Sequence, residues 1–130
     1  IGLSARIEME LRELPNAELK AFLADYGITR PAREKLIAAT YRLMGLLSFF
    51  TVGQDEVKAW TIRDGTKALA AAGEIHSDIE RGFIRAEVVP FSEFIAAGSM
   101  AECRTRGTLR LEGKEYQVQD GDIINFRFAV

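Results

Sequence analysis

The stretch Leu46-Leu47-Ser48-Phe49-Phe50-Thr51-Val52, then Gly53-Gln54-Asp55, then Val57-Lys58-Ala59-Trp60-Thr61-Ile62-Arg63 decides the fold. The first run is apolar and aromatic and has the length of a buried strand. The middle residues favour a hairpin loop, and the second run carries Trp60 and Ile62 at strand spacing. Asp64-Gly65 reads as a turn, and Thr66 is expected to cap an alanine-rich helix that stops at Gly73. A short helical turn capped by Ser77 and ending at Gly82 should follow. Phe83 to Val89 then alternates Ile84, Ala86 and Val88 against Arg85 and Glu87, as a half-buried strand does, until Pro90 breaks it. Short helices are expected over Glu93–Ala97 and Met100–Arg106, stopped by Gly98 and Gly107. Strands are expected over Leu109–Glu112, Tyr116–Val118 and Ile123–Phe128, separated by turns at Gly113-Lys114 and Asp120-Gly121-Asp122.

Strand, strand, helix, strand, short helices and further strands define an α+β domain over 46–130. A mixed sheet with one covering helix, the β-grasp arrangement, is the expected architecture. Residues 1–45 read instead as an α-helical arm. Ser4 can cap a helix with Ile7, Leu11 and Leu14 on one face, and Pro15 ends it. Asn16 is expected to cap a second helix carrying Leu19, Phe22, Leu23 and Tyr26, which Gly27 stops. Pro31 suits the first turn of a third helix, with Leu36, Ile37, Tyr41, Leu43 and Met44 expected to face inward.

The chain has 130 residues and a net charge of −2, which argues against nucleic-acid binding driven by bulk charge. Residues 1–45 hold 7 basic and 6 acidic side chains, and residues 46–130 hold 10 and 13. One cysteine, Cys103, allows no internal disulfide, and with His76 as the single histidine a zinc site of about four Cys or His ligands is not available. Both facts fit a reducing cytoplasm. No apolar run reaches the about 18 residues of a membrane span, and the start Ile1-Gly2-Leu3-Ser4-Ala5-Arg6 does not read as a signal peptide, lacking a basic leader and an apolar stretch of the right length. The absence of an initiator Met leads to the expectation that the chain derives from a longer protein.

Three separated motifs carry a resemblance. They are Asp55-Glu56-Val57-Lys58-Ala59-Trp60-Thr61-Ile62-Arg63-Asp64-Gly65-Thr66, the stretch from Ala71 to Glu87 containing Gly73-Glu74-Ile75-His76-Ser77-Asp78, and Asp120-Gly121-Asp122-Ile123-Ile124-Asn125-Phe126. In this order they resemble the TGS domain of YchF-type, Obg-like P-loop ATPases. Upstream, Ser4-Ala5-Arg6-Ile7-Glu8 is similar to the Ser-Ala-x segment that closes the family's nucleotide domain. The resemblance implies that residues 1–45 are the end of that domain plus a helical arm, and that Ser4, Ala5 and Arg6 border the purine through backbone atoms. It implies a parent that binds and hydrolyses ATP or GTP with magnesium and associates with ribosomes in the cytoplasm. The TGS domain would then be a docking or regulatory surface. TGS domains also occur in threonyl-tRNA synthetases and stringent-response enzymes, which makes RNA an expected partner, without DNA specificity. These 130 residues contain no Gly-x-x-x-x-Gly-Lys-[Ser/Thr] loop, so no ATPase centre is expected within them.

Lys58, Arg63, Lys67, His76, Arg85 and Lys114 are the candidate RNA or ribosome contacts, with Arg81 and Arg127 as further cations. Lys58 and Arg85 would share an exposed face if their strands were neighbours, with Glu56, Asp64 and Glu87 diluting the field. The competing reading is an ordinary solvated face, and the alternative function is a protein–protein module of the β-grasp type without RNA contact. Other sharp readings have blander rivals. Asp120/Asp122 and Asp78/Glu80 read as turn residues before metal ligands, and no metal site is expected. Trp60, Phe49 and Phe50 read as core before a base-stacking platform. A nucleophilic dyad of His76 with Cys103 would need an activated thiolate and usually a third residue to orient the imidazole, and nothing in the sequence places the two together, so His76 reads as a structural histidine first. The end Phe128-Ala129-Val130 lacks the Gly-Gly of a sulfur carrier.

Overall fold

The computed structural model describes all residues from Ile1 to Val130, which divide into two compact units, Ile1–Met44 and Gly45–Val130. No helix is long and apolar enough to cross a membrane.

The first unit holds α1 (Ala5–Glu13), α2 (Asn16–Asp25) and α3 (Ala32–Leu43). Ser4 caps α1, its side chain accepting from the Ile7 amide at 3.4 Å. Asn16 does not cap α2. The cap is Pro15, whose carbonyl accepts from Glu18 and Leu19 amides, and Asn16 is already helical. Gly27, at φ +64°, ends α2 in the left-handed region that favours glycine, and the Ile28 amide returns to the Leu23 carbonyl at 2.8 Å. Pro31 is likewise the cap of α3 rather than part of its first turn. The freed Ala32 amide is taken by Glu8 Oε1 at 2.7 Å, so a carboxylate of α1 caps α3. Leu36, Ile37, Leu43 and Met44 are exposed, contrary to the inward face expected for them. Three short helices bury only one stripe of α3. That stripe is Ala32, Lys35, Ala38 and Ala39, with Tyr41 half-buried.

The second unit is built on a five-stranded mixed sheet. Its strands are β1 (Leu46–Val52), β2 (Val57–Arg63), β3 (Phe83–Pro90), β4 (Arg110–Glu112) and β5 (Asp122–Phe128), in the order β2-β1-β5-β3-β4. The β1–β2 hairpin pairs Leu46 with Arg63 through Val52 with Val57, and Gly53 to Glu56 close it. β5 lies parallel to β1 and antiparallel to β3. A hairpin, a helix and a central parallel strand give the β-grasp arrangement, so the fold is α+β as expected. Tyr116–Val118 forms no strand. Only the bridge between Lys67 and Gln117 remains there, because the segment bends to cover the start of the helix.

That helix is α4 (Ala68–Ile75). Thr66 does not cap it, since its hydroxyl donates to the Arg63 carbonyl at 2.6 Å and closes the preceding turn. The first amides of α4, from Ala68 and Leu69, go instead to the Tyr116 and Lys114 carbonyls at 2.8 and 3.3 Å. Nor does Gly73 stop the helix; it lies inside it, and a side chain there would meet the Glu80 carboxylate at 2.7 Å. Against one sheet face, α4 buries Ala68, Ala71 and Ala72 on Leu47, Phe49, Ile62, Ala86, Val88, Ile124 and Phe126. Full burial of each large apolar side chain contributes about 1.5–3 kcal/mol. α5 (Ser77–Arg81) is capped by His76 rather than Ser77.

The alternation expected for β3 fails at Ile84, which is 54% exposed. The pairing with β5 slips between Phe83 and Arg85, and the extra residue turns outward. α6 (Phe91–Ala97) and α7 (Met100–Arg106) pack together, and α6 lies on β3 and β5. Ser99 caps α7, accepting from the Glu102 amide at 3.1 Å.

Candidate phosphate-contacting surface

The sheet order separates Lys58 from Arg85. β1 and β5 lie between β2 and β3, so the two strands are about 14 Å apart at about 4.8 Å per strand. They also belong to opposite faces. Lys58 follows the period of Trp60 and Ile62, on the face that α4 covers, whereas Arg85 follows Glu87 and Val89 on the other. The shared face expected for Lys58 and Arg85 is therefore absent. Lys58 instead lies over the Trp60 ring, its Nζ 4.1 Å from the centroid. Phe49 and Phe50 also split between faces, as neighbours on a strand must, so no three-ring platform forms. Phe49 is fully buried in the core and Phe50 meets the Phe91 ring at 6.0 Å.

The remaining candidates scatter. Arg63 is exposed at the far end of β2. Lys67 is ion-paired with Glu115. Arg81 is ion-paired with Asp78. His76 accepts the Asp78 amide on Nδ1 at 3.0 Å and so serves the start of α5. Cys103 is fully buried with its thiol toward the Glu93 carbonyl, and no dyad with exposed His76 exists.

Arg85 and Lys114 are brought near one another. The Arg85 guanidinium reaches Gly113, where an added Cβ would lie 3.5 Å from its Nη1, and Lys114 is the next residue. Arg127 is the direct cross-strand partner of Arg85.

Beneath this group lies Glu87, only 2% exposed. It does not dilute a surface field as a free acid would. Its Oε1 accepts from Arg104 of α7 at 2.7 Å and pairs with Arg127, and its Oε2 accepts from Asn125 Nδ2 at 2.7 Å. Burial disfavours its charge, but the Asn125 and Arg104 hydrogen bonds and the Arg127 charge outweigh burial and hold its carboxyl below the ordinary range. The Arg104 and Arg127 side chains remain 56% and 52% exposed. A guanidinium has five N–H groups, and those not spent on Glu87 stay open to solvent. Arg104 escaped the sequence reading because a lone arginine in a short helix carries no mark of the strand it will reach.

The acidic turn has its own internal partners. Asp120 Oδ1 accepts the Ser48 amide at 3.0 Å, and buried Asp122 accepts the Gln119 amide at 2.9 Å. No three His, Cys, Asp or Glu groups converge as metal ligands. In the helical unit Ser4 caps α1 and Arg6 Nε bonds Glu10 at 3.4 Å. Ser4 also borders a concavity with Leu3, Arg30 and Lys35.

The fold and surface define a β-grasp module accompanied by a helical unit, with a cluster of arginines held around a buried glutamate. Residues 46–129 match the family model YchF-GTPase_C, described as "Protein of unknown function (DUF933)". The chain is 52% identical over all 130 residues to the ribosome-binding ATPase YchF of Bacillus subtilis and 46% identical to that of Haemophilus ducreyi. It spans 36% of the length of each. The solved YchF GTPase of Schizosaccharomyces pombe superposes with a TM-score of 0.78 at 33% identity, covering 98% of this chain and 33% of that one. The chain belongs to the YchF family, and matches its C-terminal domain.

Proposed function

We propose that this chain is the C-terminal docking and regulatory part of a cytoplasmic, translation-associated P-loop ATPase, and that residues 46–130 are a TGS domain contacting ribosome or RNA. The observation that carries this reading is the 52% identity, along the whole chain, to a protein named for ribosome binding and ATPase activity. In this reading ATP or GTP and magnesium bind to the parent's P-loop. Ser4, Ala5 and Arg6 offer backbone atoms to the purine, and the helical unit Ile1–Met44 couples nucleotide state to the sheet. The chain itself performs no hydrolysis.

Co-sedimentation of the chain with purified ribosomes across a salt series tests it. Binding that weakens steeply with salt is the expected result. No binding by the chain, with the full-length protein still bound, would move the contact to the nucleotide domain.

A second reading, a protein-docking module, draws on the open outer edge of β2. That strand has seven residues with no neighbour beyond it, and Val57 is 69% exposed. Shallow salt dependence would favour it.

A further inference from the structure

Resting on the ribosome or RNA reading above, we propose that Arg85, Arg104 and Arg127 form a built binding site for the phosphate backbone of RNA, and that Glu87 is its positioning residue. The four side chains carry three positive charges and one negative. The unit around them is net acidic, so this cationic concentration stands against the background rather than following it.

Each element contributes one constraint. Strand period places Arg85 and Glu87 on one face of β3, and register places Arg127 across from Arg85 on β5. Leu111 of β4 lies across from Glu87 on the same face. Arg104 comes from α7, 17 residues beyond Glu87. The acids nearest in sequence are spent or turned away. Glu112 lies opposite Ala86 on the core face and pairs with Arg110, and Glu102 pairs with Arg106. The level on the sheet follows from Phe50 pairing with Ile123. Arg127, four residues on, lies beyond Val52, near the hairpin loop Gly53–Glu56. The patch is therefore at the hairpin-tip end, and Arg63 at the opposite end takes no part.

Glu87 makes this more than an accidental cluster. Surface arginines normally lose side-chain freedom when they grip a phosphate. Here a carboxylate with a 3% exposed side chain holds two guanidinium groups before any ligand arrives. Their outward N–H groups suit the bidentate pairing of guanidinium with phosphate oxygens, and Arg85, on the same sheet face across from Arg127 with its guanidinium toward Gly113, extends the cationic surface to the β4 side. The contacts would be to backbone and not to base edges, so the site takes RNA of any sequence.

The test uses the chain with two probes, purified ribosomes and a single-stranded RNA oligonucleotide, across 50 to 200 mM salt. Arg85→Gln removes one phosphate contact without disturbing Glu87. It should cut the salt-dependent affinity loss over that range by about threefold, given a slope of about 0.7–0.9 per contact. Lys58→Gln, the same charge change on the opposite face, should leave the slope as it was. Glu87→Gln raises net charge by one, yet should weaken binding severalfold by releasing Arg104 and Arg127. Tighter binding by Glu87→Gln would show that bulk charge acts and would overturn the positioning role. A Glu87→Gln chain that fails to fold leaves Arg85→Gln to decide. An unchanged slope in Arg85→Gln, with wild type still on ribosomes, would overturn the patch and spare the ribosome reading. If wild type ignores ribosomes but binds the oligonucleotide with a slope that Arg85→Gln lowers, the patch stands and the ribosome reading falls. Binding to neither probe overturns both.

Discussion

The Tyr116 hydroxyl donates to Asp122 Oδ2 at 2.7 Å, tying the loop that covers α4 to the first residue of β5. Arg110 Nη2 donates to the same phenol oxygen at 3.1 Å. Burial, then the hydrogen bond to Asp122 and its charge, push the Tyr116 phenol up to about 12 against a partial offset from Arg110. The native state thus holds this proton more tightly than the unfolded chain. Its contribution to stability is complete below the ordinary value of 10 and is lost as pH rises from there toward 12. Tyr116→Phe should flatten that part of the alkaline limb and cost about 1 kcal/mol at pH 7 for the lost hydrogen bond. Denaturant titrations at pH 7, 10 and 11 measure both. An alkaline slope equal to wild type would show that another group controls it.

Glu87 has the opposite sign. Its folded carboxyl titrates below the ordinary value of 4.5, so its stabilisation is present above that value and is lost as pH falls through and below it. Glu87→Gln should be less stable than wild type at pH 7 by about 1–3 kcal/mol, because Arg104 and Arg127 lose their carboxylate counter-charge and one of the two acceptor oxygens becomes an NH2 group that cannot accept. The gap should narrow between pH 5 and 3. Thermal melts across that interval are the measurement, and a constant gap would mean the carboxylate is not the acid-sensitive group.

Gly82 is held by contact, not by backbone angle. A Cβ there would lie 1.9 Å from the Ala129 carbonyl oxygen, while the Ala129 amide donates to the Gly82 carbonyl at 2.9 Å. Backbone cannot swing aside as a flexible side chain does. Gly82→Ala should therefore displace the end of β5 and cost about 1–3 kcal/mol. Gly113→Ala is the control, since its Cβ would meet only Arg85 Nη1 at 3.5 Å, an ordinary contact. Equal midpoints for the two variants in urea would reject the steric account.

Much of the sheet was legible because its signals are local. The apolar run to Val52, the Gly53 loop and the Trp60–Ile62 spacing specify a hairpin without help from distant chain. What was not legible depended on partners far along the chain. Glu87 sits between Ala86 and Val88 and reads as a solvent-side residue, and only α7, folding over that face, buries it. The bulge that exposes Ile84 leaves no trace in a sequence that alternates well. In α3, Leu36, Ile37 and Leu43 are the more apolar stripe, yet Glu8 draws the Ala32 end toward α1 and a smaller stripe is buried. Of the candidate surface, Arg85 and Lys114 are legible as exposed cations on a strand and a turn, and the structure places Arg85 against Gly113, next to Lys114. Lys67 and His76 are legible on the same grounds, and the structure engages one in an ion pair with Glu115 and the other as the cap of α5.

Lys58 is the residue whose two readings are most cleanly separable. Its ammonium over the Trp60 ring is a cation–π contact, and the indole Nε1 donates to Thr51 Oγ1 at 2.9 Å on the neighbouring strand. An exposed contact of this kind contributes about 0.5–1 kcal/mol. Trp60 is the single tryptophan, so its emission reports this site alone. Lys58→Ala uncovers one face of the ring, and should shift the emission to longer wavelength while lowering stability by that amount. Ribosome affinity should stay within about twofold of wild type, because one surface charge off the docking face contributes little. If Lys58→Ala instead lowers affinity as strongly as Arg85→Gln does, the face covered by α4 also meets the ligand, and the docking surface wraps around the hairpin tip rather than ending at it.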